Sequence, residues 1–275
     1  MGKIGFSMQE NSSIPAPEVI RLLRDTGFDA VSPLWQRDIN LDDTVNTAVS
    51  CGLTLQSLHG PLRGLPMMWE SAPAQIAQEH LAAVDSCAEY GIPILVVHSW
   101  TGIHYTFREE DLYFGHFDRL VDRAVSKGLQ IAFENLEGAE YLDALMARYS
   151  GCDAVGLCWD SGHERCYTPS RDVLAMYGDR LLMTHLNDNF GVTHPEGLLQ
   201  GTDDLHLLIG DGNTDWKHTI DRLKNAKPQE ILNFEFKIRP KGDRCKLDLY
   251  SKLPLEQFFQ EAYRRACRVT NINEG

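Results

Sequence analysis

Basic charge, paired cysteines and long apolar runs are all scarce in this chain, and each scarcity removes a class of function. Lysine and arginine number 26 against 39 aspartates and glutamates, a net charge of -13. Overall charge therefore favours no nucleic-acid partner, a local basic patch excepted. The cysteines Cys51, Cys87, Cys152, Cys158, Cys166, Cys245 and Cys267 are odd in number and lack the short paired spacings of zinc ribbons or redox motifs. We read them as reduced thiols of a cytoplasmic protein. The opening MGKIGFSMQENSS lacks the apolar run of a signal peptide, and no stretch approaches membrane-spanning length. Neither export nor a membrane anchor is expected. No Gly-rich fingerprint follows the first strand pattern, so no nucleotide cofactor is expected. No linker, low-complexity segment or charge block interrupts the chain, which reads as a single domain over 1–275.

What is present is alternation. Short apolar, β-branched runs recur at 3–6, 29–34, 54–60, 94–99, 130–135, 155–160, 181–188 and 231–237, giving eight candidate strands. Between them, 17–27, 74–91, 117–128 and 140–149 carry apolar residues at helical spacing. Apolar strands alternating with amphipathic helices predict a parallel sheet covered by helices, and eight units fit an α/β fold closed as a (β/α)8 TIM barrel. A doubly wound open sheet is the rival. The long connections 100–110 and 188–214 follow strands, on the face where barrel enzymes place their sites.

The last residues of six strands are His59, His98, Glu134, Asp160, His185 and Glu235. A carboxylate at a buried strand end needs a compensating partner. A lone histidine at such a place is more often a hydrogen-bonded core residue, but six protonatable groups converging on one mouth call for a shared cation. A ligand set of Glu, Asp and His without Cys suits Mn²⁺, Zn²⁺, Co²⁺ or Mg²⁺.

The segments GLCWDSGH (156–163), HLNDNFG (185–191) and DLHLLIGDGNTDW (204–216), with FEN (133–135) and FEF (234–236), resemble the xylose isomerase-like TIM barrels. These include the sugar phosphate isomerase/epimerase group and, more distantly, the metal-dependent AP endonucleases. The likeness runs from about residue 3 to about 265. It implies that Glu134, Asp160, His185 and Glu235 hold one divalent metal, Mn²⁺ being favoured, and that His163 contacts substrate oxygens. It also implies an isomerase or epimerase of carbohydrate metabolism in which Glu134 and Glu235 are base and acid on either side of a metal-chelated ketose. In the endonucleases nine ligands hold three metals, and all nine positions match here: the five residues just named, with His59, His98, Asp204 and His206. These last four, with His163, are candidates for additional metals or for gripping substrate hydroxyls.

Trp35, Trp69, Trp100, Tyr105 and Phe190 stand on or just after strand ends and suit a sugar pocket; the other reading is lid or core packing. Arg63, in HGPLRG, suits a phosphate or hydroxyl, or else a surface ion pair. The ketose 3-epimerases place an arginine shortly after the histidine ligand, whereas His185 is followed by LNDNFGVTH. That argues against 3-epimerisation and leaves a related isomerisation or dehydration. The alternative is a multinuclear phosphodiesterase of AP endonuclease type, favoured by the ninefold match and opposed by loops poor in basic residues. A barrel kept only as a binding subunit is a third reading, but no ligand has been lost. A small sugar, phosphorylated or not, is the expected partner, and a homo-oligomer is left open.

Overall fold

The structure, a computed structural model, describes residues 2–8, 14–238, 250 and 252–274, and Cys245 lies outside them. Among the described residues nine short strands form: β1 (Lys3–Ser7), β2 (Ala30–Ser32), β3 (Thr54–Leu55), β4 (Leu58–His59), β5 (Ile94–His98), β6 (Gln130–Glu134), β7 (Val155–Asp160), β8 (Leu181–His185) and β9 (Ile231–Phe234). Every pairing between them is parallel, in two arcs of order β3-β2-β1-β9 and β4-β5-β6-β7-β8. Parallel bridges close both seams, Leu34 to His59 and Leu186 to Phe234. Backbone hydrogen bonds back them: Trp35 N–H to His59 O at 2.8 Å and Leu186 N–H to Asn233 O at 2.9 Å. The result is the expected ring and not an open sheet.

One expected strand divides. The run 54–60 becomes β3 and β4 because its backbone changes partner midway: Gln56 N–H bonds Val31 O of β2 at 3.1 Å, whereas Gly60 N–H bonds Val96 O of β5 at 2.8 Å. The Gln56 side chain accepts a 2.8 Å hydrogen bond from Asn233 Nδ2 across the barrel.

Helices alternate with the strands: α1 (Ala16–Thr26), α2 (Asp42–Ser50), α3 (Gln75–Tyr90), α4 (Gly115–Ser126), α5 (Ala139–Arg148), α6 (Ser161–Tyr167), α7 (Val173–Tyr177), α8 (Trp216–Leu223) and α9 (Leu255–Glu274). α1 begins just after Pro15 and ends at Gly27 with φ 109°, the left-handed stop that glycine adopts without penalty. Their apolar stripes meet the outward residues of the strands, as where Phe6 packs edge-on against Phe259 of α9. Among the described residues no helix is long and apolar enough to cross a membrane.

Strand side chains alternate faces, so the inward set is predictable. On one half it is apolar: Ile94, Val96, Ala132, Cys158 and Met183 form a small cluster of their own. On the other half Asn233 donates to Ser32 Oγ at 3.0 Å and accepts from Ser7 Oγ at 2.7 Å. Two residues further along each strand the inward series ends in His98, Glu134, Asp160, His185 and Glu235.

Candidate metal centre

Strand register brings the terminal residues together. His98 is paired with Glu134, and Asp160 with His185. Glu134 is the hub, with no exposed surface. Its Oε2 lies 3.2 Å from His59 Nε2 and 3.3 Å from His98 Nε2, and its Oε1 lies 3.1 Å from His185 Nδ1 and 3.2 Å from His163 Nδ1. His185 Nδ1 also reaches Glu235 Oε2 at 3.2 Å. A further group forms beside it, where Asp204 Oδ1 lies 2.7 Å from His206 Nε2 and 3.4 Å from His163 Nε2.

Burial and charge act against each other here. Burial alone raises the pKa of Glu134, yet His185 and His98 overcome that and hold it well below the usual carboxylate range. Glu235 behaves alike, with His185 and His206 outweighing burial. Asp160 is pushed up by burial, and the neighbouring imidazoles only partly offset that. Burial disfavours imidazolium, but Asp160 and Asp204 lift His163 well above 6.5, and Cys158, Glu134 and Glu235 do the same for His185. Burial lowers His98.

The histidine orientations suit a cation. His59 Nδ1 faces Gly60 O at 2.9 Å and His206 Nδ1 faces Glu235 O at 3.0 Å. A carbonyl only accepts, so these Nδ1 atoms carry the proton and the Nε2 lone pairs point inward, an arrangement typical of metal-ligating histidines. His206 holds φ 48°, a left-handed backbone rare outside glycine and a sign of local strain at a site.

Sets of donor atoms within 4.8 Å of one another occur in Glu134, Asp160, His185 and Glu235, in His59, His98 and Glu134, in Asp160, His163 and His206, and in Glu134, Cys158 and His185. Ligands about 2.0–2.2 Å from one ion stand at most about 4.4 Å apart, so small adjustments suffice for a divalent metal. The residues fit the group. Above them opens a cavity of about 370 Å³, whose wall includes His59, His98, His163, Asp204, His206 and Glu235. Met8, Leu34, Leu62 and Leu136 supply its apolar side, and Thr101, Glu137, Tyr167 and Lys237 its polar side.

Three residues that motif reading passed over support the ligands. Asn187 Nδ2 donates to both Asp160 oxygens, at 3.1 and 2.9 Å, and Asn135 brackets the Asp160 backbone. Asp188, fully buried, accepts from Gly210 N–H at 2.8 Å and Trp216 Nε1 at 3.1 Å and so pins the long loop. Polar residues close behind a ligand, one residue on in FEN and two and three on in HLND, were the available signal.

The aromatic expectation needs correction, because the indoles are committed to packing. Trp35 is buried and donates to Ser86 Oγ at 3.2 Å. Trp69 donates to Ser99 O at 3.0 Å among Phe114, Phe117 and Tyr141. Trp100 stacks on Tyr141 at 4.1 Å, and Tyr105 bonds Glu140. None of these four lines the cavity, and neither does the exposed Arg63. Phe190 lines a different cavity, of about 450 Å³, with Arg165 and Arg222.

The family model described as "Xylose isomerase-like TIM barrel" matches residues 20–253. The chain belongs to this family. It is 30% identical, over 91% of its own length and 87% of the other's, to the uncharacterized protein y4fM of Sinorhizobium fredii (strain NBRC 101917 / NGR234). Among solved structures, the IolI protein with a binding zinc atom superposes with a TM-score of 0.72 at 17% identity over 98% of both chains. A D-tagatose 3-epimerase-like protein superposes with a TM-score of 0.69, also at 17% identity, over 99% of this chain and 98% of that one. The structural neighbours share the barrel. As a xylose isomerase-like barrel, the chain places its acidic and histidine cluster at the C-terminal ends of the strands, where sites of this architecture lie.

Proposed function

We propose that the protein is a divalent-metal-dependent isomerase or epimerase of a small sugar or sugar phosphate. The observation that carries this reading is the convergence of Glu134, Asp160, His185 and Glu235 donors within 4.8 Å, beneath a cavity of small-molecule size. The likeness of the fold to a D-tagatose 3-epimerase-like protein supports it. Three carboxylates suit Mn²⁺ or Mg²⁺, and the imidazole brings Zn²⁺ and Co²⁺ within range. A divalent ion held by these four residues supplies Lewis acidity to a carbonyl beside the reacting C–H.

The chain's own groups divide the remaining work. Glu235 faces the cavity and, held ionised, is the group placed to take a proton from substrate carbon. Glu134 lies deeper, with four imidazoles about it, and acts as the second proton-transfer group through its Oε1 edge beside His185. His163 donates to substrate oxygen, and Tyr167, kept protonated by burial, offers a hydroxyl on the same wall. The apolar residues Leu34, Leu62 and Leu136 exclude water.

The expected result of incubating candidate ketoses with the Mn²⁺-loaded protein in D₂O is deuterium incorporation at the carbon next to the carbonyl. Glu235→Gln abolishes it while keeping the fold, and Glu134→Gln abolishes it with weaker metal retention. Undiminished exchange in both variants would overturn the acid/base assignment.

A multinuclear phosphodiesterase is the second reading, favoured by the ligand sets flanking the central one. Against it, Lys237 is the lone lysine or arginine among the described residues of the cavity wall, which gives a nucleic-acid backbone little to hold there.

A further inference from the structure

The nine acidic and histidine positions fall into a central group and two flanking groups, and the flanking groups are not alike. Among the described residues, His59 and His98 form ion pairs with Glu134. The group of His163, Asp204 and His206 includes a lysine: Lys237 Nζ stands 3.4 Å from Asp204 Oδ2, with the lysine side chain 15% and the aspartate 3% exposed. The backbone fixes this arrangement. Lys237 N–H donates to His206 O at 3.0 Å, two residues beyond Glu235, so the side chain emerges next to the loop that carries Asp204 and His206.

We propose that the Lys237 ammonium takes the place of a third cation, so that this chain holds fewer than three metal ions. A buried carboxylate requires positive charge nearby. At Asp204 that need is met by the lysine, and a divalent ion on the same carboxylate would meet an ammonium a few ångströms away, a repulsion that partial burial strengthens. The hydrogen-bonding groups of His163, Asp204 and His206 are then directed to substrate and not to coordination. Lys237 becomes a positioning residue of the cavity wall, holding Asp204 oriented. The inference concerns metal number and stands or falls separately from the sugar reading.

Metal content decides it. Wild type, Lys237→Met and Lys237→Arg are stripped with a chelator, equilibrated with excess Zn²⁺, freed of unbound ion and counted by inductively coupled plasma mass spectrometry. Lys237→Met keeps the apolar stem and removes the charge, and it is expected to hold one more ion per chain than wild type; Lys237→Arg is expected to match wild type. Circular dichroism checks folding, and Lys237→Gln replaces the methionine variant should that one fail to fold. Three ions in the wild type, or the same count in wild type and the neutral variants, would overturn the proposal.

Discussion

Each imidazole in the cluster is useful only in one protonation state, and the surrounding charges set that state. His163 and His185 are held well above 6.5, despite burial, by the carboxylates beside them. His185 is a ligand of the proposed metal, so the carboxylates that favour its protonated form in the metal-free protein set up a proton that a metal must displace. Metal binding at pH 7 is expected to release protons, read by titration calorimetry in two buffers of different ionisation enthalpy, and apparent affinity should weaken as pH falls. Absence of proton release would mean that this imidazole is neutral before metal arrives. His80 behaves oppositely. It is fully buried on α3, its Nδ1 faces Ile76 O at 2.9 Å, and burial lowers its pKa to about 4. Because the folded-state value lies below the ordinary 6.5, its contribution to stability is intact above pH 6.5 and is lost as pH falls toward 4, a change worth roughly 3 kcal/mol. Urea denaturation across that window should show the wild type losing roughly 3 kcal/mol more than His80→Gln; parallel curves would refute it.

At the level of elements, the turn from β7 into α6 illustrates what sequence discloses and what it hides. Asp160 both contributes a donor atom and caps α6, accepting from His163 N–H at 2.7 Å, so one residue fixes its neighbour three positions on. That spacing was legible in DSGH. The role of Gly162 was not, because it depends on a different strand end: a Cβ there would collide with Asn187 Oδ1 and come 3.1 Å from Asn189 Nδ2. Gly162→Ala is therefore expected to push Asn187 off Asp160, lower stability by about 1–3 kcal/mol and weaken metal binding together. Denaturation midpoints and metal titration check this, and a variant with unchanged values in both would show that Asn187 can move freely. The same distinction explains the tryptophans. Placement after strand ends was visible in sequence, whereas the ring that claims Trp100 is Tyr141, on the helix of the following unit. Lys237 was hidden likewise, since its partner Asp204 stands 33 residues earlier.

For the molecule as a whole, alternation with period two explains why so much of the centre could be read in advance. A closed parallel barrel sends every last inward side chain to one mouth, so strand ends alone assembled His98, Glu134, Asp160, His185 and Glu235. What those ligands act on depends on the surface around them, and there net charge matters. The chain carries -13 overall, and among the described residues the cavity wall holds Glu137, Asp204 and Glu235 against a single lysine. A DNA strand approaching these described residues meets like charge, and the phosphate contacts that supply nucleic-acid affinity have few partners among them. A small neutral or singly phosphorylated sugar meets far less opposition and fits a space of about 370 Å³. The fully metal-loaded protein is thus expected to leave abasic-site duplex DNA intact at physiological ionic strength, assayed by denaturing gel with Zn²⁺, Mn²⁺ and Mg²⁺ in turn. Chelator-sensitive incision that Glu134→Gln removes would show that the ligand cluster outweighs the charge around it, and would transfer the same nine residues to phosphodiester chemistry.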